Sequence, residues 1–215
     1  MWIAPGPSGV ESRVDQALAV PGVIRAVIEA ERDGVDAVIV NCGDDPGLFA
    51  ARDCVRIPVI GVGEASIHVA SQLGDTFSIV GTSPRDRWGF EALALRYRLE
   101  ARLRSVRWVD TDLGTLWNAT PSEEIARKYI VAATQCVADG AHVIVPGCTL
   151  FGRFHDRMTA EVGVPAGVVF IDPVTTALQT ARMFVDLGLS HARSAYDGPD
   201  RAAELAAYME PLTRG

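Results

Sequence analysis

Two kinds of apolar pattern run along this chain, and their alternation divides it into elements. Short β-branched runs without polar interruption, such as Val38-Ile39-Val40 and Val143-Ile144-Val145, read as strands buried on both faces, as in a parallel sheet. Between them, apolar residues recur at helical spacing. Helices are predicted over 12–20, ended by Pro21-Gly22, and over 23–32, 46–54, 64–73, 87–102, 121–138, 151–162, 172–187 and 200–209. Further strands are predicted over 57–62, 77–82, 105–109 and 164–170, and residues 1–9 read as loose. Asp45 with Pro46 has the form of an N-cap followed by N1, and Thr120 or Ser122 caps the helix that opens with Glu123 and Glu124. Strands alternating with helices imply a parallel sheet with right-handed crossovers.

The pattern repeats. Asp33-Gly34-Val35-Asp36-Ala37-Val38-Ile39-Val40-Asn41-Cys42 and Asp139-Gly140-Ala141-His142-Val143-Ile144-Val145-Pro146-Gly147-Cys148 are near-copies. In each, Asp-Gly closes a helix, glycine serving as the C′ residue that takes positive φ without strain. A buried strand follows and delivers a cysteine at its end. Ile57-Pro58-Val59 then follows Cys42 much as Val164-Pro165-Ala166 follows Cys148. The expected fold is α/β, with two similar domains carrying parallel sheets, related by a pseudo-twofold and facing each other across a cleft. Residues 1–75 with 172–215 form the first domain, which holds Cys42. Residues 76–171 form the second, which holds Cys148.

Composition narrows the function. With 215 residues, 48% of them hydrophobic, the chain has material for a packed core. A net charge of −7 argues against nucleic acid or an anionic membrane as partner. No apolar run is long enough to span a bilayer, and the start of the chain lacks the basic and apolar regions of a signal peptide. Four cysteines in a chain this long make no disulfide framework, so free thiols in the cytoplasm are expected. Lys128 is the one lysine, which weakens any Schiff-base chemistry. The four histidines, His68, His142, His155 and His191, lack metal-ligand spacing, so no metal is expected.

Strand ends in open α/β sheets are where ligands bind, and the matched positions of Cys42 and Cys148 make them the candidate catalytic pair. A racemase removes a proton from one face of a carbon and returns one to the other. Two thiols on opposite sides of a small-molecule substrate, one ionised and one not, would do this. A helix start beyond each cysteine lowers a thiol pKa, whereas Asp44 and Asp45 raise it if they point at the sulfur. The backbone N–H groups of Gly43 and Asp44, and those after Cys148, could hold an enolate oxygen or a carboxylate. The Thr149 hydroxyl could join them. Thr82 reads either as a substrate ligand or, with Ser83, as a helix cap; Glu64 reads either as a site wall or as a first-turn acid. Cys54 and Cys136 lie within helical patterns and read as packing residues. Gly61-Val62-Gly63-Glu64 half-matches a dinucleotide fingerprint but lacks its third glycine, so it reads as a tight turn. The run Arg96, Arg98, Arg102, Arg104 and Arg107, with Glu91 and Glu100 among it, reads as a solvated face.

On several of these segments the sequence resembles the aspartate/glutamate/hydantoin racemase superfamily, in particular its hydantoin and allantoin racemase branch. The carrying residues are Cys42-Gly43-Asp44-Asp45-Pro46-Gly47-Leu48, Ala51-Arg52-Asp53, Ile57-Pro58-Val59-Ile60-Gly61 with Glu64-Ala65, Phe77-Ser78-Ile79-Val80, Gly147-Cys148-Thr149 and Ile171-Asp172-Pro173-Val174. The resemblance implies cofactor-independent racemisation by two cysteines at a carbon next to a carbonyl, with 5-substituted hydantoins as leading substrates. It also implies that the helix from Asp172 returns to pack on the first domain. Three departures stand out. The chain begins Met1-Trp2-Ile3-Ala4-Pro5 and joins the family pattern near Gly6-Pro7-Ser8, so the family's first strand, with its Asn-Pro-Asn-Thr-like end, is expected to be missing. Gly43 and Asp44 replace a Phe/Tyr-type and a small polar residue. Thr149-Leu150-Phe151 stands where the hydantoin branch has Ala-Gly-Met, and Thr149 is more like the amino-acid racemases.

Rival readings are an aspartate or glutamate racemase, a single-cysteine maleate-type isomerase or arylmalonate-type decarboxylase, a non-catalytic remnant that binds a ligand or partner, and a Cys42–Cys148 redox switch. A homo-oligomer is expected, because a shortened first sheet would leave an edge to cover.

Overall fold

The computed structural model describes residues 6–118, 123–154 and 167–198. The chain is α/β with parallel sheets, and it divides into two compact units. The first takes the residues up to Val40, Asp45–Gly61 and those from Ala177 on; the second takes Asn41–Asp44 and Val62–Thr176.

In the first unit, α1 (Arg13–Arg32) is one helix where two were predicted, with Pro21 inside it. Proline removes the N–H that would bond the Ala17 carbonyl and should break the helix. The buried face Ala19, Gly22, Ile24, Val27 and Ala30 runs straight past it, and that continuous burial wins. Ser12 caps the start, its hydroxyl accepting the Asp15 N–H at 3.1 Å. Strands β1 (Val38–Val40) and β2 (Val59–Gly61) pair in parallel, Val38 opposite Val59. Between them α2 (Leu48–Cys54) opens two residues later than predicted. Gly47, at φ +71°, is its N-cap, and Asp45 sits at φ +48° with its carboxylate buried against Gly61. Val27, Val40, Leu48, Ala51, Val55 and Val59 form the core.

The last described segment of this unit, ahead of residue 198, ties down β2 and the end of α2. The Val59 N–H donates to His191 Nε2 at 2.9 Å, and Arg193 donates to the Val55 carbonyl at 2.9 Å. Arg52, only 4% exposed, donates to the Val59 carbonyl at 3.0 Å and lies over the rings of Phe49 and Tyr196.

The second unit is a four-stranded parallel sheet in the order β4-β3-β5-β6, where β3 is Phe77–Gly81, β4 Leu103–Trp108, β5 Val143–Pro146 and β6 Val169–Phe170. Side chains alternate between its faces. Phe77, Ile79, Val143 and Val145 pack with Ile67 of α3 (Val62–Leu73) and with Phe90 and Leu93 of α4 (Arg87–Arg96). Val80 and Ile144 pack with Tyr129, Ala132 and Ala133 of α6 (Glu123–Ala138). A short α5 (Leu113–Asn118), which the sequence pattern did not single out, precedes α6. Cys136 is fully buried in this packing, as its helical setting predicted.

Other boundaries move. Helix α4 stops at Arg96 rather than at 102, because Arg98 takes φ +60°. The basic run is more than a solvated face: Arg102 holds the Gly74 and Asp75 carbonyls at 2.6 and 2.9 Å, and Arg107 grips Asp139 with two bonds of 2.8 and 2.7 Å. His142 is exposed ahead of β5 and accepts the Asp75 N–H. After Cys148 comes a 3₁₀ turn, Thr149–Phe154, in place of the start of a longer helix. The remainder of that predicted helix, residues 1–5, the cap region 119–122, the start of the 164–170 strand and the 200–209 helix lie outside the described residues. Helix α7 (Pro173–Asp186) leaves the second unit and enters the first, its start capped by Asp172, whose carboxylate accepts the Thr175 N–H.

The chain passes from β3 to β4 on one side and from β5 to β6 on the other. The loops leaving β3 and β5 therefore diverge, and their carboxyl ends bound a topological switch point, the usual ligand position in an open α/β sheet.

Candidate active site

Three loops meet at that switch point, all within the second unit: Cys42-Gly43-Asp44 after β1, Gly81-Thr82-Ser83 after β3, and Gly147-Cys148-Thr149 after β5. β5 continues beside β3 past its last pair, the Gly147 N–H donating to the Val80 carbonyl at 2.8 Å. Gly43 lies so close to Gly147 that a Cβ on it would collide with the Gly147 carbonyl. A Cβ on Gly147 would stand 2.5 and 2.6 Å from ring carbons of Phe90. Two glycines thus allow the residues next to Cys42 and next to Cys148 to touch backbone to backbone. Both cysteines are free thiols and half-buried. The void beneath these backbones, lined by Gly43, Gly147, Phe90, Val62 and Ser66, is about 10 Å³, room for one water at most.

Asp86 organises the β3 loop. Its Oδ2 accepts the Thr82 N–H at 2.6 Å, the Thr82 hydroxyl at 2.9 Å and the Ser83 N–H at 3.2 Å, while Ser83 Oγ caps the turn in return. The Thr82 hydroxyl proton is therefore committed to the cap, leaving its oxygen to accept. Thr149 opens the 3₁₀ turn, and Glu64 occupies the first turn of α3. There is no loop of the dinucleotide kind at Gly61-Val62-Gly63, since α3 begins directly where β2 ends.

The charge at the site is acidic. Asp44 packs its Oδ1 against Gly89 in the first turn of α4; a Cβ on Gly89 would lie 2.6 Å from it. Burial and then the charge of Asp86 push the Asp44 carboxyl up to about 6. Burial pushes the Cys148 thiol up to about 11. The carboxylates of Asp86 and Asp44 push it in the same direction, against the Leu150 and Phe151 N–H groups that stabilise the thiolate. The expected lowering of this thiol by a helix start is thus present in sign and outweighed. Asp45, the other suspected carboxylate, is buried against Gly61 in the first unit.

Sequence reasoning missed Asp86, although Ser83-Pro84-Arg85-Asp86 has the spacing of a capping box. It also missed Gly89 and Phe90, which no local pattern marks. A larger groove of about 660 Å³ runs along β4 and α6, lined by Trp108, Glu124, Arg127 and Lys128, and holds none of the predicted site residues. Among the described residues no group of three or more His, Cys, Asp or Glu could hold a metal ion.

The class defined here is that of α/β proteins with parallel sheets and half-buried cysteines at strand ends beside a topological switch point. The family model for Asp/Glu/hydantoin racemases matches residues 2–181, and the chain belongs to that family. It is an isomerase of the racemase class. The hydantoin racemase of Pseudomonas sp. strain NS671 is 35% identical over 184 residues, which are 85% of this chain and 72% of the relative. That of Rhizobium meliloti is 35% identical over 188 residues, 87% of this chain and 76% of the relative. Among solved structures, the allantoin racemase of Klebsiella pneumoniae has a TM-score of 0.80 at 29% identity, covering 91% of this chain and 78% of that one.

Proposed function

We propose that the protein racemises 5-substituted hydantoins or a closely related ring by passing protons through Cys42 and Cys148. The observation that carries this is the backbone contact of Gly43 with Gly147, which sets the two cysteine loops together at the switch point. One thiolate takes the proton from the carbon beside the ring carbonyl, and the C–H electron pair moves into an enolate. The other thiol returns a proton to the opposite face. On this reading, backbone N–H groups of Gly43, Asp44 and Thr149 hold the enolate oxygen, the interaction that strengthens as charge develops. The Thr82 oxygen can accept a ring N–H.

The acidic surroundings favour this reading over its rivals. Asp44 and Asp86 repel a dicarboxylate, which disfavours aspartate, glutamate, maleate and arylmalonate. A hydantoin ring is neutral and presents N–H donors to such a site. The catalytic work is assigned to the chain's own thiols, and no helix among the described residues is long and apolar enough to cross a membrane.

The test is proton NMR in D2O with single enantiomers of 5-substituted hydantoins, allantoin, aspartate and glutamate. The expected result is loss of the stereocentre proton with decay of optical rotation on hydantoins or allantoin, abolished in both Cys42→Ala and Cys148→Ala. Racemisation surviving in one of these variants would reject the two-thiol mechanism. Exchange on aspartate or glutamate alone would reject the substrate class.

A further inference from the structure

The edge of β2 that faces away from β1 is covered by the segment after α7. Val38 takes the Pro58 carbonyl, so Val59, the next residue, turns its own N–H and carbonyl to the far side. Val59 is fully buried, and both groups meet His191 Nε2, the nitrogen at 2.9 Å and the oxygen at 3.0 Å. One ring nitrogen cannot accept and donate at once. The Val59 carbonyl already has a donor in Arg52 Nε at 3.0 Å, whereas the Val59 N–H needs the Nε2 lone pair. A neutral His191 with its proton on Nδ1 satisfies both.

The charges around the ring oppose a second proton. Arg52 of α2 shares the Val59 carbonyl with the imidazole and lies over Tyr196, which packs edge-on to His191. Arg193 holds the Val55 carbonyl at 2.9 Å, and Ser190 donates to the carbonyl of exposed Arg56, ahead of β2. From α7 the ring meets Phe184, while Arg182 and Asp186 of that helix pair with each other in solvent. Two acids complete the surroundings: Asp197, exposed and paired with Arg193 at 3.7 Å, and Asp53 of α2, beside Gly198.

We propose that segment 190–196 is an acid-released clasp: neutral His191 holds it shut on β2 and α2, and protonation of His191 opens it. A proton on Nε2 removes the lone pair, turns two N–H groups toward each other and leaves the Val59 N–H buried without its acceptor. It also sets an imidazolium beside Arg52. Among the fastenings of this segment the imidazole is the one that changes charge near neutral pH. The sign follows. A free imidazole takes its proton near about 6.5, and above that pH the clasp is at full strength. As pH falls below it, the open form gains a proton that the closed form resists, and closure weakens by up to about tenfold per pH unit. Opening uncovers the outer edge of β2 and releases the Val55 carbonyl at the end of α2.

The test reads the clasp itself in the full chain and needs no racemase assay. Nitrogen-15 NMR of His191 should place the proton on Nδ1 at pH 8 and give a titration midpoint below about 6.5. Amide hydrogen exchange should find the Val59 N–H protected at pH 8, with a protection factor that falls by up to about tenfold per unit between pH 6.5 and 5. The Ala195 and Tyr196 amides, which bond to the Ala192 carbonyl within the segment, should fall with it. His191→Gln offers Val59 a carbonyl acceptor that does not titrate, so protection should persist and its fall with pH should vanish. The wild-type titration stands by itself if that variant does not fold. A proton on Nε2 at pH 8, a Val59 protection factor constant from pH 8 to 5, or the same fall in His191→Gln overturns the proposal. An equal fall at Ile144 and Val145, in the sheet of the second unit, would mean general acid unfolding and overturns it too.

Discussion

Gly147→Ala tests the close approach on which the site depends. The added Cβ would lie 2.5 and 2.6 Å from Phe90 ring carbons and 3.2 Å from Ile79 Cγ2, where carbon contacts ordinarily settle near ~3.5–4.0 Å. The ring or the backbone must retreat by about 1 Å. Neither is free to do so: Phe90 is 3% exposed and packed in one cluster with Ile67, Leu93 and Val145, and the Gly147 N–H is bonded to Val80. Overpacking of this kind costs about 1–3 kcal/mol. With a urea m-value of ~2 kcal/mol/M, the midpoint should fall by about 1 M. Racemisation should fall further, since a misplacement of about 1 Å of the adjoining Cys148 can cost on the order of a hundredfold in rate. Phe90→Leu makes room and should recover much of the loss, giving an interaction energy of about 1–2 kcal/mol in the double-mutant cycle. A Gly147→Ala midpoint within about 0.2 M of wild type, or a strictly additive cycle, would refute the close-packing account.

Asp44→Asn should stabilise the protein at pH 8. The folded Asp44 carboxyl is raised from 3.8 to about 6, so its ionisation is harder in the folded chain. Its penalty is absent below 3.8 and grows as pH rises through about 6, to on the order of 2–3 kcal/mol. Urea unfolding of both proteins at pH 4 and pH 8 checks this, and a gain at pH 4 as large as at pH 8 would contradict it. Pro21→Ala should raise Tm, because it returns an N–H to the interior of α1 where the face beside it is already buried, a gain of about 1–3 kcal/mol. No increase in the thermal scan would mean that the helix is strained elsewhere. Arg52→Met keeps the packing length but removes the bond to the Val59 carbonyl and the contacts with Phe49 and Tyr196, at a cost of about 2 kcal/mol. Calorimetry showing no loss would make those contacts incidental.

Much of the fold was legible because buried parallel strands and amphipathic helices announce themselves by period. Both Asp-Gly helix ends carry positive-φ glycines, Gly34 and Gly140, and both copies lead into strands. The misses have local causes. Pro21 was read by its intrinsic rule, and tertiary burial overrode it. Asp45-Pro46 looked like a cap, yet the Asp45 carboxylate was needed against Gly61, so Gly47 took the cap position. At the site, Cys42, Cys148 and Thr82 stand at the strand ends expected of them. Asp86 acts across the β3 loop, and Gly89 and Phe90 act through contacts with residues far away in sequence, which no spacing records.

The protonation state of Cys148, whose pKa burial above all raises, bears on the part it can take in the proposed two-thiol mechanism. Raising a thiol's pKa strengthens its thiolate as a base, but only by the fractional power that Brønsted behaviour allows. Below that pKa the thiolate population falls by the full factor. At pH 8 a thiol near 11 is ionised about once in a thousand molecules, so the rise works against Cys148 as the resting base. As a donor it suffers no such loss, because the thiol is fully populated and protonation of a carbanion is strongly downhill. On the proposed two-thiol mechanism, these magnitudes favour Cys148 as the resting acid. The two enantiomers have equal free energies, so kcat/KM must be equal in both directions. The asymmetry then has one place to appear. The enantiomer whose proton Cys148 removes binds the scarce thiolate form, so it should show the higher KM, and, against the stronger base, a kcat higher in proportion. Equal KM values for the two enantiomers would mean that the two thiols rest in equivalent states.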